Sequence, residues 1–205
     1  MSGQIHVISG PSGVGKSTII EQLKERLPDL AYSISHTSRT PRFNETDGVH
    51  YNFVDKNRFK KMIDEGVFVE WAQVYNDLYG TSFTALHDQL NKGSDVLLDI
   101  DIQGAKSIKK HFPESCLIFI LPPSFDILEK RLKHRSTEDD ATIKVRIKDV
   151  HEELKAFERY DYLIINDDLK KAIEETISVI IACRSRTSRV LPHVRELFSL
   201  QGGDK

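Results

Sequence analysis

The stretch "IHVISGPSGVGKST" (residues 5–18) decides the fold. A short apolar run enters a loop that matches G-x-x-x-x-G-K-[ST], with Gly10, Gly15, Lys16 and Ser17 in the fixed places. In such a loop, Gly10, Pro11, Ser12, Gly13, Val14 and Gly15 let the backbone come close to a polyphosphate. Its N–H groups wrap the phosphates, and a helix opening near Lys16 turns its positive end inward. Lys16 is expected to reach the outer phosphates, with Ser17 on Mg²⁺ and Thr18 completing the cradle. The motif names a phosphate donor and leaves the acceptor to the rest of the chain.

Outward from the loop, apolar runs alternate with helical patterns. Ile19, Ile20, Leu23 and Leu27 share one helical face that stops near Pro28. "DVLLDIDI" (95–102) predicts a buried strand, followed by Gly104 and a helical "AKSIKKHF". "CLIFIL" (116–121) is a third strand, after which Ser124 caps "FDILEKRLKHR". "DYLIIN" (161–166) is a fourth, with Asp168 capping "LKKAIEETISVIIACR". This alternation predicts an α/β fold with a parallel sheet core and helices on both faces.

Two segments break the rhythm. Residues 34–90 are rich in turn formers, Arg and Thr and read as a small strand-rich insert, with a helix that Asp55 caps and Gly66 ends. Residues 134–157 are strongly charged and read as a helical surface excursion. The basic "CRSRTSRVLPHVRELF" (183–198) reads as a solvated helix end or subunit contact, with phosphate binding as the alternative.

The 205 residues suit one ordinary domain with inserts. A net charge of −2 gives no reason to expect nucleic acid or an anionic membrane as partner. No apolar run approaches the roughly 20 residues of a membrane span. With "QIHVISG" at the start and no leader pattern, a soluble cytoplasmic protein is expected. Cys116 and Cys183 lie in apolar stretches without metal spacing and read as core thiols of a reducing compartment.

Several polar groups stand where chemistry needs them. Asp99 ends an apolar run, the place of a carboxylate facing loop-bound Mg²⁺. Asp101 shares its face if the strand persists; capping the next helix is the other reading of each. Arg39 and Arg42, near Tyr51, offer planar donors to a phosphate or are simply solvated. Arg131, Arg135 and Arg146 lie on or near the charged excursion, where arginines could neutralise a moving phosphoryl group. Glu70 sits amid "VFVEWA", facing either a ligand or solvent at a strand edge.

Taken in order, "SGPSGVGKST", "SISHTSRTPR", "HYNFV", "VEWAQV", "YGTS", "LLDIDIQGAKSI" and "LIINDD" closely resemble the bacterial guanylate kinases over roughly residues 5–170. The resemblance implies a P-loop nucleoside monophosphate kinase that passes the γ-phosphoryl of ATP to GMP, with Mg²⁺, and dGMP as a further acceptor. It implies that Ser35, Glu70, Thr81 and Asp101 surround the guanine. Arg39, Arg42, Tyr51 and Tyr79 would hold the GMP phosphate. Lys16, Arg42, Arg135 and Arg146 are the implied catalytic set, Ser17 and Asp99 the metal set, and Asn166 and Asp167 flank the adenine. Residues 1–33 and 91–125 become core, 34–90 the GMP-binding insert, 126–157 the lid, and 158–205 core with a C-terminal helix. A homo-oligomer fits the resemblance; no nucleic acid or membrane partner does. After Arg42 the family reads Pro-Gly-Glu, whereas this chain has Phe43-Asn44-Glu45; Asn44 is expected to replace the turn glycine at positive φ.

Two rivals are weighed against this reading. A similar domain in membrane-associated scaffolds binds phosphopeptides, typically with a degraded P-loop, whereas this loop is intact. A kinase for another acceptor, such as a ribose bisphosphate, would have no need of Glu70 and Asp101.

Overall fold

The computed structural model describes residues 3–74, 76–135, 150 and 153–199. Strands β1 (Ile5–Ser9), β2 (Leu30–Tyr32), β7 (Asp95–Asp99), β8 (Cys116–Leu121) and β9 (Tyr162–Ile165) form one sheet. Its order is β2-β7-β1-β8-β9, and every pairing in it is parallel. All five residues of β1 are buried. A central strand covered on both faces needs an unbroken apolar run, which is why these segments lack alternation.

Each face of the sheet has its own core. Ile8, Leu97 and Ile118 pack with Ile19, Ile20 and Leu23 of α1 (Lys16–Arg26) and with Ile173, Ile177 and Ile180 of α6 (Leu169–Arg184). The neighbouring Val7, Leu98 and Leu117 point the other way. They pack with Leu86 of α3 (Phe83–Asn91) and Ile108 of α4 (Ile102–His111). α3 closes the 34–90 stretch, yet its Leu86 belongs to this main core.

The insert carries the second sheet, of β3 (His36–Thr37), β4 (Asn52–Phe53), β5 (Phe68–Val74) and β6 (Asp77–Ser82). Its order is β4-β3-β6-β5, mostly antiparallel. A small separate core of Phe59, Met62, Phe68 and Leu78 lies beneath α2 (Lys56–Asp64). As expected, the Asp55 side chain accepts from the Asn57 and Arg58 N–H groups, and Gly66 leaves the helix at φ 66°.

The other capping expectations hold for Ser124, which accepts from Ile127 N–H, and for Asp168, which accepts from Lys171 N–H. Four expectations change. Gly104 lies inside α4, not ahead of it. β7 ends at Asp99 and Asp101 caps α4, so the two carboxylates do not share a strand face. Asn44 does not take positive φ; Ser199 is the one non-glycine that does among the described residues. The 42–45 turn closes instead through Glu45 N–H to the Arg42 carbonyl (3.0 Å). The C-terminal helix is solvated as expected and Arg195 is exposed, but two of the segment's arginines are engaged by acids and not free for phosphate. Arg184 pairs with Asp29 and Asp95 (both 2.9 Å), and Arg189 with Asp95 (2.6 Å). Asp95 is buried, and two guanidinium partners meet the cost of burying its charge. Arg184 ends the preceding helix and Arg189 lies in the first turn of α7 (Thr187–Leu197).

Among the described residues, no helix is long and apolar enough to cross a membrane.

Candidate active site

The phosphate loop leaves the carboxyl end of β1, the central strand. Gly10, Gly13 and Gly15 take φ of 142°, 84° and 98°, where a side chain is strained. Close packing adds a second requirement. A Cβ on Gly10 would stand 2.4 Å from the Ile120 carbonyl oxygen, and one on Gly15 2.4 Å from Asn166 Nδ2. Lys16 Nζ donates to the Gly10 and Pro11 carbonyls (2.6 and 3.1 Å), which holds the ammonium at the loop mouth. Ser17 and Thr18 are exposed in the first turn of α1.

Asp99 is level with Ile8 of β1, just below the loop. Burial raises its pKa, and the Lys16 and Lys24 charges oppose that rise. A carboxylate and a hydroxyl at the base of a phosphate loop are hard oxygen donors, the type that suits Mg²⁺.

Asn166 is more buried than an adenine-facing residue needs to be, at 3% exposure. Its Nδ2 donates to the Val14 carbonyl (2.7 Å), so it braces the phosphate loop. Arg131 in turn donates to the Asn166 carbonyl (3.3 Å). Gly13, Thr18, Ile127, Arg131, Asn166 and Asp167 line an open cleft of about 450 Å³ beside the loop. Arg131 and Arg135 lie one turn apart on α5 (Phe125–Arg135). Arg146 and most of the charged excursion lie outside the described residues.

Across from the loop, Glu70 projects from β5 at 6% exposure. The pairing of β5 with β6 sets Glu70 level with Thr81, whose hydroxyl donates to Glu70 Oε1 (2.6 Å). That bond commits the Thr81 proton to positioning the carboxylate. Burial pushes the Glu70 pKa up to about 7; Thr81 pulls it down, and the Asp101 charge adds to the rise. Asp101 is exposed, with one oxygen accepting from Gly104 N–H (2.7 Å).

Sequence reasoning missed the part Gly104 plays. A Cβ there would lie 2.7 Å from Glu70 Oε2, so the bare glycine lets the carboxylate sit against α4. Gly104 is the third residue of α4, in its first turn, where glycine costs less than the roughly 1 kcal/mol of a helix interior against alanine. Gly104→Ala is therefore expected to keep or raise thermal stability while lowering kcat/KM for the acceptor about tenfold, read by steady-state kinetics beside a melting curve. An unchanged kcat/KM would show that Glu70 has room to move. The one hint in the sequence was a glycine where α4 had no reason to break.

The arginine cluster lies farther along the insert. Arg39 makes a bidentate pair with Glu45, and that bond first of all lowers the Glu45 pKa, to about 2. Glu45 also accepts from Arg42 N–H (2.8 Å), which ties both arginines into one turn. The Arg39 guanidinium lies 5.0 Å from the Tyr51 ring centroid, and Tyr51 meets Tyr79 edge-on at 5.9 Å. Arg39, Tyr51 and Tyr79 are thus brought together, while the Arg42 side chain is exposed. Ser35, half-buried, lies between β2 and β3 and accepts from Asn52 N–H through its carbonyl.

A phosphate loop on a parallel sheet, faced by an insert with its own polar cradle, places the chain among the α/β P-loop kinases. The family model described as "Guanylate kinase" matches residues 2–182. A guanylate kinase of Carboxydothermus hydrogenoformans is 46% identical over 188 residues, 92% of each chain. One from Caldanaerobacter subterraneus subsp. tengcongensis is 48% identical over 91% of each chain. The crystal structure of guanylate kinase from Anaplasma phagocytophilum superposes with a TM-score of 0.77 at 29% identity, covering 98% of this chain and 97% of that one. This chain belongs to the guanylate kinase family.

Proposed function

We propose that this chain passes the γ-phosphoryl group of ATP to the phosphate of GMP, giving ADP and GDP. The observation that carries the reading is an intact phosphate loop together with a buried carboxylate in the insert, Glu70, held by Thr81. Guanine presents N1–H and the 2-amino group side by side, and a carboxylate accepts from both. Asp101 supplies a second acceptor, Ser35 and Thr81 complete the ring around the base, and Arg39, Arg42, Tyr51 and Tyr79 receive the GMP phosphate. Asn166 and Asp167 border the adenine side.

No covalent enzyme intermediate is needed. The acceptor phosphate is already ionised, so catalysis is alignment plus charge neutralisation. Lys16 follows the γ-phosphoryl from the loop. Arg42, Arg135 and Arg146 converge on it as the insert and lid close and exclude water. Ser17 and Asp99 would hold Mg²⁺, which neutralises phosphate charge when bound.

A coupled ADP-release assay with GMP, dGMP, AMP, inosine monophosphate and a ribose bisphosphate tests the reading. GMP is expected to be preferred, dGMP to serve, and inosine monophosphate, lacking the 2-amino group, to be poor. Equal turnover with AMP or the ribose phosphate would reject it. Arg135→Ala and Arg146→Ala are each expected to lower kcat about 10²-fold with little change in GMP affinity, because their contacts form in the reacting complex. A change confined to KM for GMP would remove either one from the catalytic set.

A further inference from the structure

Three reactive groups from three elements meet in the core at the end of the sheet away from the phosphate loop. His6 near the head of β1, Cys116 at the head of β8 and Cys183 in the last turn of α6 are each 0% exposed. The β1–β8 register sets His6 level with Cys116. Cys183 joins them because it continues the buried face of α6 formed by Ile173, Ile177 and Ile180. The two sulfurs are 3.3 Å apart, and the ligand atoms of all three groups lie within 4.8 Å of one another. Both ring nitrogens of His6 lack a hydrogen-bond partner.

We propose that Cys116 and Cys183 form a redox-active pair that closes to a disulfide by exchange with a small-molecule disulfide of the oxidised glutathione type. The sulfurs already touch at 3.3 Å, so bond formation needs them to approach by about 1 Å. Access runs from the C-terminal end. No residue of α7 is buried, so access there uncovers no apolar side chain of α7, although it breaks polar ties such as the Arg189–Asp95 pair. A cavity of about 680 Å³ beside it is lined by Gln4, Ser115, Arg186 and Arg189, the first three within a few residues of the cluster.

The chemistry balances in two exchanges. The Cys183 thiolate attacks one sulfur of glutathione disulfide and expels a glutathione thiolate, leaving a mixed disulfide. The Cys116 thiol then gives up its proton and attacks the Cys183 sulfur, expelling the second glutathione. The pair is oxidised by two electrons and the small disulfide is reduced to two thiols. Cys183 is the better first nucleophile: the neighbouring Cys116 thiol stabilises the Cys183 thiolate and lowers its pKa, and the Arg186 charge adds to this against the effect of burial. The departing glutathione thiolate takes up the second proton, because His6 is a weak base here. Burial favours the neutral form of His6, the Arg184 and Arg189 charges reinforce this, and Asp95, 3.9 Å from Nε2, opposes it.

The bond would tie β8 to α6 and close a loop containing α5, β9 and every residue from Arg131 through Asn166. Shortening the unfolded chain in this way is expected to raise the melting midpoint by about 10 °C. Turnover is expected to stay the same, since the pair lies at the far end of β1 from Gly10.

The full chain is incubated with oxidised glutathione, quenched with acid, alkylated after unfolding and weighed intact. The expected product is two hydrogens lighter, takes up no alkyl group, melts about 10 °C higher and reverts with dithiothreitol. Cys183→Ser is expected to show neither the mass loss nor the shift while retaining activity. Two results would overturn the proposal. One is full alkylation of both sulfurs after incubation in fully oxidised glutathione. The other is protection seen only with added Zn²⁺, with both thiols recovered after chelation, which would make the cluster a Cys₂His metal site.

Discussion

Glu70→Gln is expected to lower kcat/KM for GMP by about 10²–10³-fold and to narrow the preference for GMP over AMP. The carboxylate accepts from two guanine donors at once; the amide keeps one acceptor and turns a donor toward the other. With AMP, a carboxylate meets the lone pair of N1 and is left desolvated and unpaired, a rejection that the amide relaxes. Retention of full GMP-over-AMP discrimination would place base reading elsewhere.

The raised pKa of Glu70 adds a pH signature. In the free enzyme, protonation at about 7 removes the acceptor pair, so kcat/KM for GMP is expected to fall as pH drops through that value. The sign for stability is opposite. A folded pKa above the ordinary 4.5 means that the stability Glu70 contributes is complete below 4.5 and is lost as pH rises through about 7. The shift corresponds to about 3 kcal/mol above pH 8. In the Glu70→Gln variant the side-chain amide keeps an oxygen for Thr81 without the charge. That variant is therefore expected to melt several degrees higher than the unaltered chain at pH 8 and to match it near pH 4. Destabilisation at pH 8 would mean that the ionised carboxylate is held by more than Thr81.

Lys16→Ala is expected to lower turnover by about 10³-fold or more with GMP affinity nearly unchanged. The ammonium already sits at the mouth of the loop on the Gly10 and Pro11 carbonyls, from which a bound polyphosphate draws it outward. Isothermal titration with GMP beside single-turnover kinetics separates the two effects. Unchanged turnover would show that the loop does not hold the donor, and equal losses in GMP affinity and turnover would show that the lysine serves both substrates.

The phosphate loop, the parallel-sheet core and the helix caps were legible in the chain because each rests on local chemistry. A buried parallel strand demands a continuous apolar run, a cap demands an oxygen next to its helix, and a phosphate loop demands glycine where φ is positive. The ordered motifs, matched over nearly the whole length, carried the family. Tertiary structure decided what depends on distant partners. Asn166 braces Val14 from 152 residues away. Thr81 commits its proton to Glu70, and Gly104 makes room for that carboxylate. Asp95 draws Arg184 and Arg189 inward, where the segment alone read as a solvated helix end or a subunit contact. None of these follows from a neighbour in sequence. Each is a contact between elements, and its energy exists only once the sheet order and strand register have brought the two groups together.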